Sequence, residues 1–326
     1  MRGTRVLVAG GAGFVGSSLV EELVREGARV VVFDNFQTGT RANLAHLRSE
    51  IDVVTVDLLD EWCVLSAFKQ YRPERVFNLV GETYVPTAYD MPRRFIRVNL
   101  EGHLNLLMAC REYEVERIVY ASTAEVYGNP GAVPLTETHP LSAANTYAVS
   151  KLAADRVSFT LHREHGIPVV VARLFNCYGP RETEPYVIPE IIRQHHLGGP
   201  IRLGNVDARR DYTYVQDTGR ALIATMNSSA IAAGQAVNIG SNHSHSVREV
   251  AEYVAEIMGG KLELEVDDTR YRHNDIDHLQ ADSTLLREAT GWAPKVSLKE
   301  GLERTVRWFA ENGHRWPWQD RVVVER

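Results

Sequence analysis

The stretch Val6-Leu7-Val8-Ala9-Gly10-Gly11-Ala12-Gly13-Phe14-Val15-Gly16-Ser17 decides the fold. A short apolar run, Val6–Ala9, breaks into the spacing G-x-G-x-x-G at Gly11, Gly13 and Gly16, and an amphipathic stretch opens at Ser17. Strand, glycine turn and helix in that order are the context in which this spacing binds a dinucleotide. The glycines permit a tight turn and let a pyrophosphate approach backbone N–H groups at the positive end of a helix. Asp34 follows the second apolar run, 18 residues past Gly16. An acid there hydrogen-bonds both ribose hydroxyls and repels a 2′-phosphate, so NAD is expected rather than NADP. Asp57, after the third run, either meets the adenine amine or caps a strand end.

Working outward, short β-branched runs alternate with helical patterns through the first 180 residues. Strands are expected at Val6–Ala9, Val30–Phe33, Val53–Val56, Val76–Val80, Ile118–Ala121 and Val169–Leu174, with a late seventh at Ala236–Ile239. Helices are expected at Ser17–Glu26, Asn99–Glu112 and Tyr147–Glu164. This alternation predicts an α/β fold: a Rossmann-type doubly wound parallel sheet of about seven strands with a smaller, discontinuous C-terminal substrate lobe. The expected division is residues 1–180 with 211–258 returning to them, against 181–210 and 259–326 as the lobe.

Composition removes several classes of function. The 326 residues carry a net charge of −6 and are 44% hydrophobic, with a pI near 6.1. Neither nucleic acid nor an anionic membrane is an expected partner. Cys63, Cys110 and Cys177 are far apart, so neither zinc nor a disulfide framework is expected. His195-His196 and the pair His243 and His245 lack an acidic partner at metal-ligand spacing, and no metal is expected. No apolar stretch approaches the length of a membrane span, and Met1-Arg2-Gly3-Thr4 leads straight into the first strand. A soluble cytoplasmic protein is the expectation.

Chemistry enters with Thr146-Tyr147-Ala148-Val149-Ser150-Lys151 and the upstream pair Ser122-Thr123. On a helix, Tyr147 and Lys151 share a face. The ammonium is expected to lie beside the phenol and favour its ionised form, which is a usable general base. Phenol, amine and hydroxyl behind a dinucleotide fingerprint are the parts that move a hydride to and from a nicotinamide.

These residues, with Ser122-Thr123-Ala124-Glu125-Val126-Tyr127-Gly128, Arg173-x-Phe175-Asn176-x-Tyr178-Gly179-Pro180 and Arg210-Asp211-Tyr212-x-Tyr214-Val215-x-Asp217, resemble the extended short-chain dehydrogenases/reductases that modify nucleotide sugars. The resemblance covers nearly the whole chain. It implies that Tyr147 takes the sugar 4-hydroxyl proton, that Lys151 lowers the tyrosine pKa and holds the nicotinamide ribose, and that Thr123 holds the 4-oxygen. It implies cofactor contacts from Gly10, Gly13, Phe14, Val15 and Gly16, from Asp34 and Asn35, from Asp57 and Leu58, and from Leu79, with Asn99 supporting the active-site helix. On the substrate side it implies Thr83, Thr123, Ala124 and Asn176, a diphosphate clamp of Arg210 and Arg272, and Val187, Ile201 and Leu203 along the base pocket. The substrate is a UDP-, dTDP- or GDP-linked sugar, and a homodimer through a four-helix bundle is expected.

The reaction turns on the two residues after Thr123. Glu125 stands where resembling 4,6-dehydratases carry the base that removes the C5 proton of a 4-keto sugar. A 4,6-dehydratase is the expected activity. Ala124 departs from that pattern, since resembling dehydratases carry Ser or Asp there to protonate the leaving hydroxyl. Alanine at this position resembles the 4-epimerases of UDP-glucose or UDP-glucuronate, which stand as the alternative. A UDP-glucuronate decarboxylase ranks lower, because Leu279 occupies the place of an arginine; Arg181 is the candidate to meet a uronate instead. A non-catalytic NAD-binding regulator ranks lowest, because Thr123, Tyr147 and Lys151 are all present.

Overall fold

The computed structural model describes residues 1–271 and 274–318. Its strands are β1 (Arg5–Ala9), β2 (Arg29–Asp34), β3 (Ile51–Thr55), β4 (Arg75–Asn78), β5 (Arg117–Thr123), β6 (Val169–Leu174), β7 (Asn176–Tyr178), β8 (Ile201–Leu203), β9 (Arg209–Tyr214), β10 (Ala236–Ile239), β11 (Ser244–Ser246), β12 (Leu264–Val266) and β13 (His278–Leu279). Its α-helices are α1 (Phe14–Arg25), α2 (Glu61–Tyr71), α3 (Val85–Asp90), α4 (Pro92–Ile96), α5 (Gly102–Glu112), α6 (Thr146–His165), α7 (Val187–Leu197), α8 (Val215–Asn227), α9 (Val247–Met258), α10 (Thr284–Thr290) and α11 (Leu298–Glu311).

Seven strands pair in parallel in the order β10–β6–β5–β4–β1–β2–β3. The order reverses between β1 and β4, which opens a crevice at the carboxyl ends of the strands. Alternate side chains serve opposite faces. Val6, Val8, Val30 and Val32 meet Leu19 and Leu23 of α1 and Leu222 and Met226 of α8. Leu7, Ala9, Val31 and Phe33 meet Phe68 of α2, Leu106 and Leu107 of α5, and Ala154 of α6. Both faces are covered, which is why these strands read as continuous apolar runs. Each fully buried aliphatic side chain contributes roughly 1.5–3 kcal/mol.

A separate core lies off the main sheet. Ile188, Ile191 and Ile192 of α7 pack with Val250 and Val254 of α9, Leu302 and Phe309 of α11, and Tyr178, Tyr212 and Tyr214. Here the structure departs from the expected division. Within 211–258, α8 and β10 join the main sheet, but α9 turns its apolar face to α7 and α11, and β11 pairs with β9. The returning segment is therefore shorter than 211–258.

The helix expected from Asn99 is also subtler. Between α4 and α5 the chain makes a π-helical turn, Arg97–Glu101. The extra residue per turn sets Asn99 inward, 1% exposed. No helix of the described residues is long and apolar enough to cross a membrane.

Candidate active site

The cleft follows the carboxyl edge of the sheet. At its centre Gly10 has φ +78, and a Cβ there would lie 2.9 Å from the Leu79 carbonyl carbon and the Val80 nitrogen. A Cβ on Gly16 would strike the Gly10 carbonyl. The turn is thus closed against β4 at the switch point, and only glycine fits. Gly13 caps α1 without a side chain, so the first amides of the helix are left for a phosphate. Asp34 ends β2 with Oδ2 accepting the Ala12 N–H at 2.9 Å and Oδ1 accepting the Phe36 N–H at 2.8 Å. Burial raises its carboxyl pKa against the pull of those two amides. Asn35 donates to Asp57 Oδ2 at 3.2 Å, and Asp57 Oδ1 accepts the Leu59 N–H at 2.9 Å. Phe14, Val15, Leu58 and Leu79 complete this half of the lining. A cradle with no room for a Cβ, an uncapped helix start and a buried acid lining the cleft at the end of β2 fit a dinucleotide.

The residues expected to react lie on the other side of the switch point. Thr123 ends β5, and its hydroxyl accepts the Glu125 N–H at 3.2 Å, capping the short helical turn Ala124–Tyr127. Tyr147 and Lys151 project from the first turns of α6. That helix begins where Asn145 Oδ1 accepts the Ala148 N–H at 2.8 Å. The same Asn145 donates to Glu125 Oε2 at 2.8 Å, so one side chain fixes both the helix start and the acid. Asn99 works from behind. It accepts the Glu82 N–H at 2.8 Å and donates to the Ser150 hydroxyl at 2.8 Å, which in turn donates to the Tyr147 carbonyl at 2.7 Å.

The phenol and the amine do not behave as the i, i+4 spacing suggested. Burial raises the Tyr147 pKa, the Glu125 charge raises it further, and a hydrogen bond with Thr123 only partly offsets them. The Lys151 ammonium instead lies over the Tyr120 ring, 4.6 Å from its centroid, and Tyr120 stacks on His103 at 3.9 Å. His103 bridges Asn78 and Ser158, each at 2.8 Å, and burial pushes its pKa down to about 3, so the ring is neutral. Burial also lowers Lys151 to about 8, with Asp155 opposing. Asp155 is fully buried and pairs with Arg173 at 3.1 Å.

NMR of isotope-labelled dimethyl-lysine in the ligand-free protein is therefore expected to show Lys151 titrating near 8, not at its ordinary 10.5. The unfolded chain binds this proton more tightly. The Lys151 contribution to stability is complete above 10.5 and is lost as pH falls from there through 8. A normal titration would contradict the burial argument.

The residues expected on the substrate side come from several elements around the cleft. Thr83, after β4, is hydrogen-bonded to the Tyr186 hydroxyl at 2.6 Å across the cleft. Thr83, Ala124, Asn176, Val187, Leu203 and Arg210 all line the cleft. Arg210 is held by Asp275 at 3.1 Å. Arg272 lies outside the described residues.

Two expected residues are elsewhere. Arg181 forms an ion pair with Glu21 of α1 and donates to the Asn43 carbonyl at 3.4 Å, so its guanidinium ties the loop after β7 to the first helix and meets no uronate. Ile201 is buried in the lobe core, where β8 pairs with β12, and does not line the cleft. The structure adds Tyr186, Cys177, Glu182, Arg270 and Asp275 to the lining. Arg270 contacts Glu190 at 3.2 Å. It sits two residues before Arg272 in one run, and Tyr186 opens the Tyr186-Val187-Ile188-Pro189 stretch, so both were within reach of sequence reasoning.

A seven-stranded parallel sheet, a glycine turn at its switch point and a Thr–Tyr–Lys set beyond it define an NAD-dependent enzyme of the short-chain dehydrogenase/reductase type. Residues 7–305 match the model of the GDP-mannose 4,6 dehydratase family, and the chain belongs to that family. It is 32% identical to the UDP-N-acetyl-alpha-D-glucosaminuronate decarboxylase of Bacillus cytotoxicus, over 94% of this chain and 98% of that protein. Among solved structures it is 35% identical to the UDP-glucose 4-epimerase of Thermus thermophilus in complex with NAD, with TM-score 0.86 over 94% of this chain and 99% of that one. The dTDP-glucose 4,6-dehydratase DesIV of Streptomyces venezuelae, with NAD and TYD bound, is 28% identical, with TM-score 0.89 over 96% and 99%.

Proposed function

We propose that this protein is an NAD-dependent nucleotide-sugar 4,6-dehydratase. The observation that carries the choice is Glu125, which lines the cleft two residues past Thr123 and is oriented by Asn145. Its charge reaches the Tyr147 phenol. When bound, NAD⁺ supplies the two-electron acceptor and donor and a cationic ring. Tyr147 takes the proton from the sugar 4-hydroxyl, and Thr123 holds that oxygen. The resulting 4-ketone acidifies C5. Glu125 takes the C5 proton and passes it to the 6-hydroxyl, which departs as water; C6 regains the hydride that left C4, and C5 regains the proton that Tyr147 holds, leaving the 4-keto-6-deoxy sugar. Ala124 is 2% exposed and brings no proton, so Glu125 serves as base and then as acid. Arg210, with Arg270 beside the same cleft, holds the diphosphate, a use that suits guanidinium.

A 4-epimerase is the second reading, and Ala124 favours it, because an epimerase needs no acid at C6. Leu279 lines the cleft where a uronate carboxylate needs a cation, which disfavours decarboxylation. Mass spectrometry on UDP-, dTDP- and GDP-sugars incubated with the protein tests the assignment. Loss of one water is expected. Loss of carbon dioxide, or an isomeric product of unchanged mass, overturns it.

The lobe of α7, α9 and α11 is the proposed nucleotide-sugar lobe. Ile96, Leu104 and Val149 stand partly exposed on α4, α5 and α6, which supports a homodimer through a four-helix bundle of α5 and α6. The proposed setting is the cytoplasm.

A further inference from the structure

The loop that leaves β7 holds a buried carboxyl that the proposed dehydration does not use. Glu182 is 1% exposed and lines the cleft. The Gly179 N–H donates to it, yet its Oε2 has no hydrogen-bond partner among the described residues. The backbone that presents it is unusual. Gly179 has φ +151, where a Cβ would lie 2.6 Å from Val215 Cγ1, and Arg181 has φ +71. Both are conformations that ordinary residues avoid, and they persist only where surrounding structure holds them. The Arg181 ion pair with Glu21 supplies one such hold.

The position of this carboxyl follows from the strand order. The pyrophosphate turn is at the end of β1, and Asp34, Asn35 and Asp57 stand at the ends of β2 and β3. The nicotinamide half must therefore run the other way, over β4, β5 and β6. Glu182 lies on the continuation of β6 through β7. Its charge, when present, is felt by Cys177 and Tyr186, and each of these is electrostatically linked to Tyr147. Glu182 and Cys177 line the same cleft as Tyr147 and Lys151, the set that the cofactor ring must reach.

We propose that Glu182 is a cofactor-binding residue that pairs with the carboxamide of the nicotinamide. A carboxylic acid offers an O–H donor and acceptor lone pairs on adjacent oxygens, and a carboxamide offers the matching acceptor and N–H donor. Burial raises the Glu182 pKa well above its ordinary value, which keeps that proton in place. The pairing sets the rotation of the ring, and so which face it turns to the sugar. It rests on NAD binding alone, not on the choice between dehydration and epimerization.

Calorimetry on the full-length protein freed of nucleotide tests this with three ligands: NAD⁺, its analogue with acetyl in place of the carboxamide, and ADP-ribose. Glu182→Leu is expected to weaken NAD⁺ about tenfold, to weaken the acetyl analogue less, and to leave ADP-ribose within about twofold. Equal weakening of all three would show a loop merely disrupted. Equal weakening of NAD⁺ and the acetyl analogue would show contact with the ring but not its amide. Unchanged NAD⁺ affinity would take the carboxyl away from the cofactor. Each of these overturns the proposal. Glu182→Gln keeps a donor and an acceptor and is expected to bind NAD⁺ within about threefold of the parent. If Glu182→Leu fails to fold, a tenfold loss in Glu182→Gln overturns the pairing.

Discussion

Replacing Tyr147 with phenylalanine is expected to lower turnover by about a thousandfold while NAD⁺ affinity stays close to that of the parent. The change removes one oxygen and keeps the ring, which is packed edge-on against Phe95 at 6.3 Å. Local structure should survive. What is lost is the atom proposed to take the 4-hydroxyl proton, and removing a positioned general base costs roughly 10²–10⁴ in rate. Turnover measured beside a nucleotide titration separates the two effects. A variant within tenfold of the parent would remove Tyr147 from the role of base.

Why the phenol carries so much of the rate is visible in its surroundings. The unliganded site favours the protonated phenol, because burial and Glu125 both act against ionisation. A positive charge must enter the cleft before Tyr147 becomes a ready base. NAD⁺ brings one with its ring, so cofactor and base are coupled electrostatically.

The parts of this arrangement that sequence made legible are those with local causes. The seven strands were readable because their runs are mostly apolar and β-branched, and those at the centre of the sheet are covered on both faces. Gly13 and Gly16 were readable from their spacing, but the G-x-G-x-x-G reading began at Gly11, whereas the positive-φ glycine that closes against Leu79 is Gly10. Tyr147 and Lys151 share a helix face by periodicity alone. Distant partners were not readable. Arg181 looked like a cleft residue because it follows Gly179-Pro180, but its direction is set by Glu21, 160 residues earlier. Spacing pairs Lys151 with Tyr147, whereas its resting place is set by Tyr120 on β5, itself stacked on His103 of α5. Ile201 and Leu203 share a strand face, yet only Leu203 reaches the cleft. The apolar stripe of α9 gave no sign of which core it would join. Glu182 lies in the polar run Arg181–Glu184, where nothing local announces that its carboxyl is buried.

Glu125→Gln is the change that divides the two readings of the chemistry. Glutamine keeps an oxygen for the Asn145 amide, so the start of α6 and the position of Tyr147 should hold. It cannot take a proton from C5. Under the dehydratase reading, product lacking one water should fall by about 10²–10⁴, and sugar oxidised at C4 should accumulate on the protein as bound NADH, visible by absorbance. A second consequence has the opposite sign. Glu125 raises the Tyr147 pKa, so its neutral replacement should let the phenol ionise at lower pH. The pH profile of C4 oxidation should move in the acid direction even as dehydration stops. A structural acid with no part in proton transfer would give the acid shift alone, with the product unchanged. That outcome would leave Ala124 as the telling residue and would point to rotation of the 4-ketone in the cleft, the chemistry of an epimerase.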